Sequence, residues 1–212
     1  KTAPCTVCRS GRYKDELTVR DLQCKACFPG KFNADDAVDH AYHDSSDDCL
    51  VCPAGQHTNY GQQFCDRCPA GKRTLKNTTS NETSCLPCGP GLYQDQSGNE
   101  TCFDCPTGWS QQFSGKQFCL PCIPGTYATS PGTISCDLCD TDAYQPDSNA
   151  TKCIPVKKGC YQSGPTTQVE CPAGKAGRGG NATCEDCDIG LFQDLPGNTT
   201  CRECPIGWSS QD

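Results

Sequence analysis

Ten pairs of cysteines, each pair separated by two residues, constrain this chain more than any other feature. They stand at Cys5/Cys8, Cys24/Cys27, Cys49/Cys52, Cys65/Cys68, Cys85/Cys88, Cys102/Cys105, Cys119/Cys122, Cys136/Cys139, Cys184/Cys187 and Cys201/Cys204. From Cys85 to Cys153 the first cysteine of the pattern recurs every 17 residues. Most units continue as Cys-Pro-x-Gly-x-aromatic, then polar residues with a glycine, then cysteine, as in Gly91-Leu92-Tyr93, Gly125-Thr126-Tyr127 and Gly190-Leu191-Phe192. Proline fixes φ and glycine permits positive φ, so this opening is a turn that aims one aromatic ring across the loop. Loops this short cannot hold a helix and a strand together. The expected fold is a small disulfide-rich repeat: an elongated array of short β-hairpin and turn units, with little helix and little hydrophobic core.

Composition agrees. Leu, Ile, Val and Phe number 28 in 212 residues, Met is absent, and 23 residues are cysteine. Chains with less than about 20% of these apolar residues do not offset their ordering entropy by burial alone. Cysteine at this level marks a scaffold whose interior is cystine. Net charge is −7 and the 18 basic residues are scattered, which leaves no concentrated cationic surface for nucleic acid. No run approaches the roughly 18 apolar residues that span a bilayer, so this segment is not expected to insert directly into a membrane. No apolar signal region precedes Cys5, and a repeat opens at Cys204-Pro205-Ile206-Gly207-Trp208 close to the last residue, Asp212. The expectation is a mature chain or an internal piece, with the final repeat favouring a piece.

The repeats divide the chain into irregular units over 1–84, regular 17-residue units over 85–153, an atypical unit over 154–183, and regular units over 184–212 that stop short. A longer period lies on top. Gly91-Leu92-Tyr93-Gln94-Asp95 returns 99 residues later as Gly190-Leu191-Phe192-Gln193-Asp194, and Cys-Pro-x-Gly-Trp-Ser occurs at 105–110 and 204–209. Two stretches break the rhythm. Residues 28–48 carry Asp35, Asp36, Asp39, Asp44, Asp47 and Asp48 with His40 and His43. Oxygen-rich clusters can hold calcium, but no Asp-x-Asp-x-Asp-Gly spacing is present, and a solvated acidic excursion is the expected reading. At 153–171 one pair keeps only Cys153, with Val156 in the second place, and the next keeps only Cys171, with Gln168 in the first.

That double loss bears on connectivity. In a ladder, each pair's second cysteine bonds the first cysteine of the next pair: Cys8–Cys24, Cys27–Cys49, Cys52–Cys65, Cys68–Cys85, Cys88–Cys102, Cys105–Cys119, Cys122–Cys136, Cys139–Cys153, Cys171–Cys184 and Cys187–Cys201. Positions 156 and 168 would then be partners, and both have lost their cysteine together. A crossed pattern survives only by re-pairing Cys153 with Cys171. The ladder is favoured, although sequence alone does not determine pairing. Under it Cys5, Cys204 and Cys160 lack partners. The first two are expected to pair beyond the segment. Cys160 is open to an intermolecular disulfide or to a local rescue with Cys153 or Cys171.

Cys-x-x-Cys pairs also bind zinc, which implies a reducing compartment. Six of the eight asparagines argue otherwise, because Asn77, Asn81, Asn99, Asn149, Asn181 and Asn198 each begin Asn-x-Ser/Thr. Such an excess of N-glycosylation sequons belongs to a secretory chain. Extracellular or cell-surface localisation, disulfides in place of metal, and N-linked glycans in place of a cofactor are therefore expected. A thioredoxin-like role needs a βαβ context that is absent. No catalytic set is apparent: His40, His43 and His57 fall on polar loops, and the carboxylates show no pairing. Trp109 and Trp208 share a place after Cys-Pro-x-Gly, which favours a structural role over ligand stacking.

The pattern Cys-x-x-Cys-Pro-x-Gly-x-Tyr…Gly-x-x-x-Cys-x-x-Cys resembles the ephrin-receptor-type cysteine-rich repeat, best over 85–153 and 184–212, and is related in appearance to tumour necrosis factor receptor and EGF-like modules. The resemblance implies loops closed by consecutive cysteines. It also implies a place among receptor ectodomains, secreted matrix proteins and protist surface proteins, including flagellar-hair (mastigoneme) proteins. The near-regular step and spread sequons favour a non-enzymatic structural glycoprotein, a rod segment of a filament, flagellar hair or matrix, whose partners are copies of itself or other extracellular proteins. The alternative is a receptor or adhesion ectodomain binding a protein ligand.

Overall fold

The computed structural model describes residues 5–15, 23–76, 83–179 and 183–210. It consists of two-stranded antiparallel hairpins, one per repeat, with eleven among the described residues. The only helical elements there are two single 3-10 turns, His40–Tyr42 and Ser46–Asp48, both in the acidic excursion.

The strand register explains the Cys-x-x-Cys spacing. The two residues after a turn glycine pair with the two residues between the next cysteines: Thr126 with Leu138 and Tyr127 with Asp137, or Trp109 with Pro121 and Ser110 with Leu120. Ala143 and Tyr144 pair with Pro155 and Ile154 in the same way, with Asp142 in the glycine's place and Val156 in the second cysteine's. Just beyond the pair, the second cysteine donates its N–H to the carbonyl of the turn glycine, as Cys88 does to Gly71 at 2.9 Å and Cys122 to Gly108 at 2.8 Å. Two residues is thus the strand length each repeat needs. Prolines at 87, 121 and 155 end these strands, where a missing N–H costs no ladder bond.

Consecutive repeats dock through three recurring backbone bonds. In one place Gly71 donates to Gln94 at 2.7 Å, Gln94 to Lys116 at 3.2 Å, and Gly115 to Cys88 at 2.7 Å. In another, Gly174 donates to Gln193 at 2.7 Å, Gly177 to Asn198 at 2.9 Å, and Gly197 to Cys171 at 2.8 Å. Two compact units result, one of residues 1–103 with 113–118 and one of 104–112 with 119–212. The first contains the excursion and the longest hairpin, Lys72–Lys76 against Thr83–Pro87.

The interior is sulfur and amide. Ten of the fifteen buried apolar residues among those described are cysteines, joined by Tyr13, Ala128, Ala150, Val156 and Ala176. In the repeats opened by Cys27, Cys68, Cys88 and Cys122 it is the second cysteine of the pair that is fully buried, while the first cysteine it bonds is less so. Between the cystines lie buried Asn33, Gln94, Gln111, Gln145 and Gln193, which sequence reading did not single out. Gln94 has no exposed surface. Its Nε2 donates to the Thr101 carbonyl at 2.6 Å, and its Oε1 accepts from the Gln96 N–H at 3.0 Å. Gln145 and Gln193 repeat this clamp on Lys152 and Thr200. A short loop has backbone groups that no ladder satisfies, and one amide side chain satisfies several of them.

The turn glycines face a steric limit as well as a dihedral one. Gly108 has φ +79°, and a Cβ placed there would lie 2.2 Å from the Asn149 carbonyl oxygen, two repeats along. Gly174 has φ +85° but nothing within 4 Å of the same position. Gly174→Ala is expected to cost about 1–2 kcal/mol, the left-handed penalty alone. Gly108→Ala must also displace backbone and is expected to cost at least about 3 kcal/mol. Denaturant unfolding with disulfides intact measures the difference, and equal losses would contradict the packing argument.

Candidate functional sites: the cystine ladder, the sequons and the acidic excursion

Each cystine closes one hairpin loop onto the next. The structure pairs Cys8–Cys24, Cys27–Cys49, Cys52–Cys65, Cys68–Cys85 and Cys88–Cys102. It goes on with Cys105–Cys119, Cys122–Cys136, Cys139–Cys153, Cys171–Cys184 and Cys187–Cys201. Cys5, Cys160 and Cys204 form no disulfide with another described residue. The local rescue of Cys160 does not occur, since Cys153 is bonded to Cys139 and Cys171 to Cys184. Cys160 instead takes the strand position after turn glycine Gly159, opposite Glu170, and is half-buried.

The repeat that lacks a cystine uses other means. Val156 occupies the buried cysteine's place at 6% exposure. The Gln168 side chain, in the partner's place, accepts from the Lys157 N–H at 3.0 Å. The hairpin lengthens to three residue pairs, Cys160–Gln162 against Gln168–Glu170, and is closed by Ser163 N–H to Thr167 at 3.1 Å. If these two places are equivalent to a cystine, Val156→Cys with Gln168→Cys should form the missing link. A loop of this size should then gain on the order of 3 kcal/mol. Peptide mapping without reduction and the shift in denaturation midpoint test this. Absence of a 156–168 link would refute the equivalence.

The excursion is anchored rather than merely solvated. His43, expected on an exposed polar loop, is buried at 3%. Its Nδ1 lies 2.6 Å from the Arg12 carbonyl of the preceding hairpin, and its Nε2 lies 3.0 Å from Asp35 Oδ2. The Asn33 amide donates to the Tyr42 carbonyl at 2.6 Å. Three of the six aspartates cap backbone. Asp35 accepts from the Val38 and Asp39 N–H groups, Asp39 from Ala41, and Asp48 from Ser45. His40 and Asp36, Asp44 and Asp47 are not part of this anchor. His57 Nδ1 lies 3.1 Å from its cross-strand Asp66 carbonyl. His57, Cys68 and Cys85 are the one close group of three ligand-type side chains among the described residues, and its two sulfurs form a single disulfide.

The Asp39 N–H above all, with the His43 ring and the Val38 N–H, holds the Asp35 carboxyl below its ordinary value of 3.8 against an opposing desolvation effect. A depressed carboxylate contributes stability that is complete above its unfolded pKa and is lost as pH falls through the folded one. Protection of the Val38 and Asp39 amides, corrected for intrinsic exchange rates, should therefore persist down to about pH 4 and decline below it. Asp35→Asn should abolish that acid transition. A decline completed above pH 4 would contradict Asp35 as the anchor.

Asn99, Asn149 and Asn198 are described, whereas Asn77, Asn81 and Asn181 lie outside the described residues. Asn149 stands in the loop place that glycine holds elsewhere, with φ +63°, and is exposed. Trp109 pairs with Pro121 on a strand, whereas Trp208 is 77% exposed and borders an apolar groove with Phe192 and Pro205. No helix among the described residues is long and apolar enough to cross a membrane.

A hairpin array stapled by ten disulfides defines a cysteine-rich repeat protein of extracellular type. Residues 76–117 and 174–211 match the family described as tyrosine-protein kinase ephrin type A/B receptor-like. Over 54% of its length the chain is 30% identical to the sushi, von Willebrand factor type A, EGF and pentraxin domain-containing protein 1 of Rattus norvegicus. The protein of the same name from Mus musculus is 29% identical over the same share. The match spans 4% of each relative's length.

Proposed function

We propose that this chain is a non-enzymatic structural stretch of an extracellular glycoprotein, serving in a surface filament, flagellar hair or matrix. The observation that supports this reading is the repeated three-bond docking between neighbouring hairpins. At these docked repeats the turn glycine is committed to the neighbouring repeat, the buried glutamine amide to its own loop, and the cysteines to closure. Repetition of one docking geometry suits a spacer, since every added repeat brings its own interface. The half-buried thiol of Cys160 is, on this reading, the position for a disulfide to another chain. The match to receptor-type repeats favours a second reading, an adhesion or receptor ectodomain that binds a protein ligand. Exposed Ile123, Leu138 and Ile189 would supply apolar contact surface under either.

Electron microscopy of the native source, with an antibody to this chain, separates the two. Label recurring along a filament or fibrous layer is expected, together with a higher band on non-reducing electrophoresis that Cys160→Ser removes. Label confined to individual cell-surface molecules that bind a soluble protein one to one would overturn the structural reading. A monomeric band for wild-type protein recovered from its assembly would eliminate the cross-link.

A further inference from the structure

Two of the sequons are built into the buried amide clamps. Asn99 Nδ2 donates to Gln94 Oε1 at 2.9 Å, and Asn198 Nδ2 donates to Gln193 Oε1 at 2.9 Å. The same glutamines hold the far end of each sequon, donating from Nε2 to the carbonyls of Thr101 and Thr200 at 2.6 and 2.7 Å. Each glutamine thus grips both the acceptor asparagine and the sequon threonine from inside the loop, in two repeats 99 residues apart.

An N-linked glycan replaces one hydrogen of Nδ2 and leaves the other. At Asn99 the clamp uses one hydrogen, so the other is open to substitution. At Asn198 the second hydrogen makes a longer contact of 3.2 Å to the Leu195 carbonyl, which a glycan would displace. Both asparagines are half-buried, as is Thr199, while Glu100 is exposed. The third described sequon is an internal control. Gln145 clamps Lys152 across the same seven-residue span, but the sequon is shifted by one, so Asn149 falls in the glycine place and Ala150 takes the clamp place.

We propose that Asn99 and Asn198 carry N-linked glycans whose attachment nitrogen stays in the fold, its remaining hydrogen donated to the buried glutamine. The stem of each glycan is thereby fixed to its repeat, whereas a glycan on Asn149 hangs from an exposed side chain outside the clamp. This rests on the extracellular reading above.

The full chain is expressed in a glycosylating secretory host, and occupancy is read site by site by mass spectrometry. One portion is trimmed with an endoglycosidase, which leaves an N-acetylglucosamine and its N–H on the asparagine. Another is treated with the amidase that hydrolyses the Cγ–Nδ2 bond with water, releasing the glycosylamine and leaving aspartate, which cannot donate. The readout is amide exchange at Gln96 and Leu195, whose N–H groups share the same glutamine oxygens. Trimming should leave their protection unchanged, and amidase treatment should lower it roughly five- to tenfold, as loss of about one hydrogen bond implies. Asp147, which donates to Gln145, should not change. Thr101→Ala, which removes the glycan but keeps the Asn99 amide, should behave as the trimmed protein, and Asn99→Asp as the amidase product, so neither arm depends on enzyme access. Equal protection in the two forms, or glycan on Asn149 with Asn99 and Asn198 bare, overturns the inference alone. A secreted chain bare at all six sequons overturns the glycoprotein reading with it.

Discussion

Closure of each loop by a cystine is the constraint from which the other features follow. The bonded cysteines are separated by 13 to 22 positions, and each such closure removes freedom from the unfolded chain that apolar burial would otherwise have to offset. The cystine alone does not fix the hairpin. The Cys88 sulfur, bonded to Cys102, closes the loop that follows, while that cysteine's own N–H, on the Gly71 carbonyl, closes the hairpin that precedes it. Covalent and hydrogen-bonded closure meet at one residue, and this is why the turn glycine and the cysteine spacing recur together.

The repeat around Gly159 separates the two contributions. With Val156 and Gln168 in the cysteine places, the Gly159 carbonyl still accepts from Cys171, and Gly159 still donates to Gly177 of the next repeat at 2.6 Å. The docking geometry therefore survives without the covalent link. A third residue pair and the Gln168 contact accompany the loss. Hydrogen bonds of this kind contribute about 1 kcal/mol each, so several are needed to stand in for one disulfide.

The hairpin array was legible because Cys-x-x-Cys contains its strand: two residues that must pair with the two after the turn glycine. The aromatic after the turn was legible for the same reason, as Tyr127, Tyr144 and Tyr161 show by taking equivalent places. The buried glutamines were not. Gln94 follows an aromatic and precedes an aspartate, which by composition alone marks a solvated loop, and its burial depends on a neighbouring repeat covering it. His43 was misread for a related reason. Its partner is a carbonyl 31 residues earlier, and no local spacing announces such a contact. Asp35, Asp39 and Asp48 read as an acidic cluster because a cap on a single turn has no period.

A polar interior also explains how so few apolar residues suffice. In an ordinary core, leucine or valine excludes water, and backbone groups are satisfied in long ladders. Here the ladders are mostly two residues long, so most loop carbonyls and N–H groups would be left unpaired beneath the next repeat, at about 1–3 kcal/mol each. A leucine at position 94 would fill the volume and satisfy none of them. Glutamine supplies donors and an acceptor at the end of a flexible stem, reaching seven residues along the loop to Thr101. Dryness comes from the cystines on either side, and pairing from the amide between them. The aliphatic side chains that remain stay partly at the surface, Leu50, Leu120 and Val169 among them, since the interior has no place that needs them.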